Sequence, residues 1–306
     1  MVHLKKTALV VVAMLVGACV NAQLGMKLES EQDCYLRFER IRLRLTVRNY
    51  SGNTLVFGGE DASERGQLTP AEEAAKAAGR GKLTFVIRRQ SGQMVKCLDI
   101  SANPMEGVIL APGVNRQLMV DINTLFDMQR PDVYKIEAHI DHHRLPHICA
   151  SDPILVEVKE GNVMKERIIG LPMKRETDQI RNVNVKLMQF TDSVGSIWCL
   201  RVEDAELVYG VFRLGPFMGS SVPQMDVDGT SAIHILIQVG PHLYSYSVFS
   251  MVGEVVKLRQ QVYYVADGGY PQLSRKSGYL KVEHARVAQQ GKDYNLKGTT
   301  VTQPKE

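Results

Sequence analysis

The chain has few of the features that identify a catalyst or a nucleic-acid binder. Its 306 residues include one tryptophan and five cysteines, and 37 basic residues stand against 33 acidic ones, a net charge of +4. Such an even balance does not indicate a nucleic-acid surface. The sequence also has no glycine-rich phosphate loop, nucleophile elbow, His-Glu-x-x-His motif or Cys-x-x-Cys motif. It therefore carries no local catalytic signature, and nucleic acid is not expected as a partner.

Long apolar runs are also missing after the first 22 residues. Lys5 and Lys6 precede an apolar segment from Thr7 to Ala18, and the small-residue pattern Val20-Asn21-Ala22 follows. This layout is typical of a secretory signal, and the segment is too short to span a bilayer. We therefore predict that residues 1–22 are a signal peptide and that the protein is exported, either to the periplasm or outside the cell. Removal of the two lysines lowers the net charge from +4 to +2.

The cysteines leave both the processing of the N-terminus and the disulfide pairing open. Val16-Gly17-Ala18-Cys19 resembles a bacterial lipobox, so the alternatives are cleavage after Ala22 or a lipid anchor at Cys19 on the outer membrane. Either route leaves four cysteines, which allow three pairings in an oxidising compartment or stay as buried, unpaired thiols. They are Cys34, Cys97, Cys149 and Cys199.

Alternating apolar and polar residues predict an all-β protein. In the strand that ends at Asn49, apolar residues alternate with arginines and threonine, which is typical of an antiparallel strand with one buried face. Further strands are expected at 54–57, 83–89, 94–100, 107–110, 116–122, 133–140, 154–158, 182–190, 196–203, 207–214, 232–239, 244–251, 255–265 and 279–283. Residues 69–79 interrupt this pattern and indicate a short helix, because Thr69 suits an N-cap and Pro70 the first helical position.

The strands divide into two expected domains. Seven or eight short strands over residues 30–160 are typical of a β-sandwich. The mixed segment from Lys159 to Glu176 indicates a linker, and a second antiparallel β domain is expected over residues 176–288. Residues 289–306 are polar without an apolar period, so this tail is predicted to be disordered.

Three features of residues 30–160 carry a resemblance to a known class of fold. They are the strand 40–49 with its Asn49-Tyr50-Ser51-Gly52 turn, the turn Leu110-Ala111-Pro112-Gly113, and Asp132-Val133-Tyr134-Lys135-Ile136. The segment resembles immunoglobulin-like or fibronectin-type sandwiches of exported bacterial proteins, with Tyr134 where a tyrosine corner would fall. It departs from antibody domains because it has no tryptophan and no core cysteine pair. The resemblance implies a binding or spacing module more than an enzyme.

Six potential metal ligands lie within eleven residues, and they are His139, Asp141, His142, His143, His147 and Cys149. On a continuing strand His139, Asp141 and His143 would project from one face, where they could hold zinc. Exposed polar residues at the end of a strand explain the same pattern. A metal-dependent hydrolase that uses the cluster from His139 to His147 is therefore the alternative function, and it would also need an open coordination position.

Four arginines form a second candidate site. On one strand face, Arg40, Arg42, Arg44 and Arg48 would lie in steps of about 6.6–7 Å. This arginine stripe could follow sulfates, phosphates or an acidic glycan. A solvated face with acidic partners on neighbouring strands explains the same spacing.

The second half of the chain carries two weaker signals. Asp226-Val227-Asp228-Gly229 suits a tight turn, or else an incomplete calcium loop without its downstream glutamate. Tyrosines are frequent, and on an exposed β face they favour glycan or peptide contacts, although alternating tyrosines also suit sheet packing. They are Tyr244, Tyr246, Tyr263, Tyr264 and Tyr270.

These features together predict an exported, all-β module of the bacterial cell envelope. Its expected role is to bind a ligand or to give structural support, without catalytic activity. The expected partner is an envelope protein or a polysaccharide, and membrane attachment is expected only through a lipid on Cys19. No cofactor is expected unless the histidine cluster holds zinc.

Overall fold

A computed structural model describes residues 23–58, 81–172, 180–219 and 221–295. The predicted signal peptide, the predicted helix at 69–79 and residues 296–306 of the predicted tail lie outside these ranges. Within them the chain is all-β, as predicted, with several antiparallel sheets and one 3₁₀ turn, Ile122–Thr124. No helix among the described residues has the length and apolar character needed to cross a membrane.

Twenty-one strands occur in the described residues. The first ten are β1 Leu24–Ser30, β2 Cys34–Leu36, β3 Arg42–Asn49, β4 Leu55–Phe57, β5 Lys82–Arg89, β6 Val108–Leu110, β7 Asn115–Asp121, β8 Asp132–Asp141, β9 Cys149–Ala150 and β10 Ile154–Lys159. The others are β11 Asn162–Pro172, β12 Ile180–Thr191, β13 Ser196–Glu203, β14 Val208–Pro216, β15 Gln224–Val227, β16 Ile233–Gln238, β17 Leu243–Val252, β18 Val255–Ala266, β19 Gln272–Lys276, β20 Tyr279–Glu283 and β21 Ala285–Val287.

The described residues divide into two compact units. The first contains the residues up to Asp33 together with Ile41–Met128 and Asp132–Glu157. The second contains Cys34–Arg40, Gln129–Pro131 and the residues from Val158 onward. Whether the units are independent domains, as predicted for residues 30–160 and 176–288, stays a prediction.

The first unit contains strands that bury one face. β3 lies between β1 and β7 in one antiparallel sheet, and β8 pairs with β5 and β9 in another. Leu43, Leu45 and Val47 of β3 are fully buried, whereas the residues between them face outward. The period of two in the sequence therefore places apolar side chains in the core, as expected for such strands. The immunoglobulin-like character of this unit stays a prediction.

The second unit contains two antiparallel meanders that share a core. One sheet has the order β11-β12-β13-β14, and the other has the order β15-β16-β17-β18-β21. Both sheets contribute to one cluster of buried side chains, which includes Val185, Trp198, Ile235 and Phe249. Trp198, the one tryptophan of the chain, is thus a core residue.

The second meander is covered on both faces. Every residue of β16 is buried, and the isoleucines at 233, 235 and 237 lie in the shared core. Side chains alternate across a strand, so the residues between them face the other way. On that outer face Leu236 packs with Tyr244 and Tyr246, and Leu273 and Val282 of the β19–β20 hairpin cover them.

Three segments differ from the prediction. The predicted linker is wrong because β11 occupies much of it, pairing with β12 over its full length. The predicted strand 94–100 is wrong, because Met94 and Cys97 form only isolated bridges. At its end Asp99 Oδ1 accepts hydrogen bonds from the backbone of Ser101 and Ala102, which closes a turn. Within the predicted tail, Asp293 Oδ1 accepts a 2.6 Å hydrogen bond from Arg286 Nη2.

Candidate functional site

The arginine stripe lies only partly on one strand. Arg42, Arg44 and Arg48 share the outward face of β3, but Arg40 precedes the strand and belongs to the second unit. The prediction of four arginines on one strand face is therefore wrong for Arg40, because β3 begins at Arg42. The Arg48 guanidinium lies 5.0 Å from the centre of the Tyr50 ring.

Acidic groups accompany the arginines that do lie on β3. Arg42 Nε is 3.2 Å from Asp121 Oδ1, and Arg42 Nη1 is 3.8 Å from Glu31 Oε1. Arg44 lies directly opposite Glu29 in the pairing of β3 with β1. This is the arrangement expected of a solvated face with partners on neighbouring strands. A role for the stripe in binding polyanions stays a prediction.

The histidine cluster is divided by the end of β8. The strand ends at Asp141 and His143 lies in the following turn, so the expectation that His139, Asp141 and His143 share one strand face is wrong. His139 Nε2 is 3.5 Å from Glu137 Oε2. In the described ranges no group of three or more histidine, cysteine, aspartate or glutamate side chains is placed to hold a metal ion. Zinc binding by these residues, and with it a metal-dependent hydrolase, stays a prediction.

His142 lies in the sequence between the predicted ligands Asp141 and His143, and its side chain is buried. Its Nε2 is 3.2 Å from the Val56 carbonyl oxygen, and its Nδ1 accepts the Arg144 N–H at 3.0 Å. These bonds fit the neutral ring, with one nitrogen as donor and the other as acceptor. Burial and the adjacent His143 ring lower the pKa of His142, which favours the same neutral form.

The Asp-Gly turn before β16 begins a buried polar chain. Asp228 Oδ1 accepts hydrogen bonds from Thr230 and from the Ala232 N–H, and Asp228 Oδ2 is 3.0 Å from His234 Nε2. On the other side of the imidazole, His234 Nδ1 is 2.6 Å from the Tyr246 hydroxyl. The tight-turn interpretation of the sequence fits these contacts, because both carboxylate oxygens have protein donors.

This Asp228–His234–Tyr246 chain has the order of groups found in proton relays. However, Tyr246 is only 6% exposed and packs with Leu236 and Tyr244. A substrate has no direct access to its hydroxyl. We therefore interpret the hydrogen bonds from Asp228 through His234 as a support that holds Tyr246 in place on the outer face of the second meander.

An open cavity of about 320 Å³ lies beside that face. Tyr244 is directly opposite Gln238 in the pairing of β17 with β16, and Leu236 is opposite Gln224 in the pairing of β16 with β15. The segment that precedes β19 forms the opposite wall. The lining residues are Ser221, Val222, Gln224, Leu236, Gln238, Tyr244, Tyr270, Pro271 and Gln272. We call this the tyrosine–glutamine cavity.

Two glutamines fix the walls of the cavity. Gln224 Nε2 donates to the Pro271 carbonyl oxygen at 3.0 Å, and Gln224 Oε1 accepts the Leu273 N–H at 2.8 Å. The side-chain amide thus ties the 271–273 segment to β15 across the outer face. Gln238 Nε2 donates to the Pro241 carbonyl oxygen at 3.0 Å and so holds the turn between β16 and β17.

Two tyrosines give the cavity its chemical character. Tyr244 is 5% exposed, whereas Tyr270 is 76% exposed at the rim. Burial and the neighbouring Tyr270 raise the pKa of Tyr244, so its hydroxyl stays protonated at neutral pH. A phenol hydroxyl can both donate and accept a hydrogen bond, so Tyr244 offers both functions to a bound molecule. All nine of the described lining residues are uncharged.

Sequence reasoning found the tyrosines of this cavity but not the cavity itself. Tyr244 and Tyr270 belong to the tyrosine-rich pattern, whereas Gln224 and Gln238 lie in no motif. The one available signal is a glutamine at the end of an apolar strand, on the side opposite the isoleucines. That signal locates Gln238 and gives no indication of Gln224.

Comparison with models of protein families and with curated proteins finds no match to this chain. Its function is therefore inferred from the residues of the site.

Proposed function

We propose that the protein is a non-catalytic binding module that is exported to the bacterial cell envelope and holds its ligand in the tyrosine–glutamine cavity. The observation that carries this proposal is the pairing of Tyr244, which is 5% exposed and carries a hydroxyl, with the exposed ring of Tyr270 in one open cavity. A concave site with a few convergent polar groups is the usual form of a ligand-binding site.

The chemistry of the lining favours binding over catalysis. A general acid or base works best when its pKa lies near the working pH. The described lining offers a serine, amides and phenols, and the pKa of Tyr244 is displaced upward, away from neutrality. It contains no histidine, cysteine or carboxylate. Such a lining can orient a ligand by hydrogen bonds and ring contacts.

The proposed location rests on the N-terminal sequence. Lys5 and Lys6, the apolar segment and Val20-Asn21-Ala22 have the layout of an export signal. Intact mass spectrometry of protein from a bacterial envelope fraction tests this part. A measured mass that corresponds to a chain beginning at Gln23, or at an acylated Cys19, supports export. A full-length chain in the cytoplasmic fraction contradicts it.

The binding role is tested with a digest of envelope polysaccharide and peptidoglycan and with the mature protein. Ligand-observed saturation-transfer NMR should detect a bound component, and its signal should fall when Tyr270 is replaced by alanine. Chromatography of the digest after overnight incubation should show no new product. Product formation contradicts the non-catalytic assignment, and the absence of any bound component contradicts the binding role.

A further inference from the structure

We infer that the ligand of the tyrosine–glutamine cavity is a neutral carbohydrate, which stacks on Tyr270 and bonds through its hydroxyl groups to Tyr244 and to the exposed amide of Gln272. This inference rests on the proposed function and names the class of ligand. It follows from the charge of the lining, from the state of the adjacent strand edge and from the size of the opening.

The charge of the lining argues against ionic ligands. A buried phosphate, sulfate or carboxylate needs a cationic partner or several directed donors to offset its lost hydration. A metal ion needs carboxylate, imidazole or thiolate ligands. None of the nine described lining residues is cationic, and none is a carboxylate, imidazole or thiolate. The cavity therefore suits a molecule without formal charge.

The strand edge beside the cavity argues against an extended peptide. Peptides commonly bind by adding a strand to an exposed sheet edge. In the second meander β15 is the edge strand nearest the cavity, and the Gln224 amide joins it to the Pro271 carbonyl oxygen and the Leu273 N–H. Because Gln224 shares the outer face with Leu236, these bonds hold the 271–273 segment over that face. Gln224 is the one β15 residue among the described lining residues, so a peptide that added a strand to β15 would lie largely outside the cavity.

The remaining features fit a sugar. A sugar ring has an apolar face of C–H groups, which suits the flat face of an aromatic ring, and a rim of hydroxyl groups that both donate and accept. Tyr270 supplies an exposed ring, Tyr244 a hydroxyl inside the cavity and Gln272 an exposed amide at the rim. A volume of about 320 Å³ lies at the small end of ligand sites, so the cavity suits a short stretch of glycan whose ends extend into solvent.

The test is isothermal titration of the full mature chain with defined probes. The neutral probes are maltohexaose, cellohexaose and the hexamer of N-acetylglucosamine. Dextran sulfate and an uncharged glycine–serine decapeptide serve as the anionic and peptide probes. The variants are Tyr270→Ala, Tyr244→Phe and, as a matched control, Tyr279→Ala, because Tyr279 and Tyr270 are both 76% exposed and Tyr279 lies outside the lining.

We expect at least one neutral hexasaccharide to bind. Loss of one ring contact should weaken its binding about 2- to 12-fold in Tyr270→Ala, and loss of one hydrogen bond should weaken it by about the same factor in Tyr244→Phe. Tyr279→Ala should bind as the wild type does. Folding does not confound the comparison, since Tyr270 is exposed and Tyr244→Phe keeps the ring.

The other outcomes overturn the inference in distinguishable ways. Binding of dextran sulfate or the peptide in place of the sugars, with loss in Tyr270→Ala, overturns the carbohydrate inference and leaves the binding role intact. Sugar binding that is equally strong in Tyr270→Ala and Tyr279→Ala places the ligand elsewhere. If no sugar binds, the carbohydrate inference fails, and the binding role fails too only if the envelope digest also yields no bound component.

Discussion

Replacement of Arg213 by alanine should strongly destabilise the second unit. Arg213 Nε is 2.6 Å from Glu39 Oε1, Nη1 is 2.7 Å from Asp192 Oδ2, and Nη2 donates to the Cys34 carbonyl oxygen at 2.7 Å. One guanidinium thus joins the Cys34–Arg40 segment to β14 and to the turn between β12 and β13. Its loss leaves two carboxylates without their shared cation.

The expected cost follows from the burial of these groups. The side chain of Arg213 is 22% exposed, that of Glu39 13% and that of Asp192 6%. Removing one partner of a buried ion pair costs about 3–5 kcal/mol. Asp192 keeps two backbone donors, the N–H groups of Val194 and Gly195, so a value near the lower limit, about 3 kcal/mol, is expected. In a unit of this size that loss corresponds to a decrease in Tm of about 6–12 °C.

Thermal and urea unfolding, followed by circular dichroism, measure this difference. Arg275→Ala is the matched control, because Arg275 Nη2 is 2.9 Å from Asp226 Oδ2 but the side chain is 44% exposed. Exposed pairs of this kind contribute about 0–1 kcal/mol. If Arg213→Ala loses no more stability than Arg275→Ala, the account of a buried clamp on the Cys34–Arg40 segment is refuted.

Three further predictions follow from buried titratable groups. Burial alone raises the pKa of Asp228, but its hydrogen bonds outweigh this and lower the pKa to about 2. The stability it contributes is therefore present above about pH 4 and is lost as the pH falls toward 2, and urea unfolding across that range should show a weaker pH dependence in Asp228→Asn. The pKa of His142 is lowered, so its contribution is present above about pH 6.5 and lost at lower pH. His142→Gln should reduce the loss of stability between pH 7 and 5, and an unchanged slope would contradict the neutral, buried ring. Burial raises the pKa of Cys199, so iodoacetamide at pH 8 should alkylate the partly exposed Cys97 well before Cys199, and equal rates by peptide mass spectrometry would contradict the burial.

The sequence predicts well those strands in which apolar and polar residues alternate, because this alternation corresponds to buried and exposed side chains. The predicted bounds of β13 and β20 agree with the structure at both ends. β11 was missed because it is an edge strand of its sheet, where Lys165, Glu166 and Arg167 interrupt the apolar pattern. Edge strands commonly carry such charges, and in a single sequence they are difficult to distinguish from a linker.

The candidate site was less predictable, because its residues are far apart in the sequence. The pairing register of the strands brings them together, and no local sequence pattern indicates it. The tyrosine–glutamine cavity combines residues from positions 221 to 272, and Gln224 contributes through contacts with Pro271 and Leu273. The two candidate sites whose residues are close in sequence were found by sequence analysis, but the structure does not bring their predicted residues together on one strand face. The arginine stripe and the histidine cluster are dense in sequence, but β3 begins after Arg40 and β8 ends before His143.

The most direct test of the central claim is a map of backbone amide shifts when an envelope glycan digest is added to the labelled protein. The account predicts that the largest changes fall on the cavity, at Leu236, Gln238, Tyr244 and Gln272. Changes that instead concentrate at Arg44 on β3 would contradict it, because they would place the ligand on the arginine stripe.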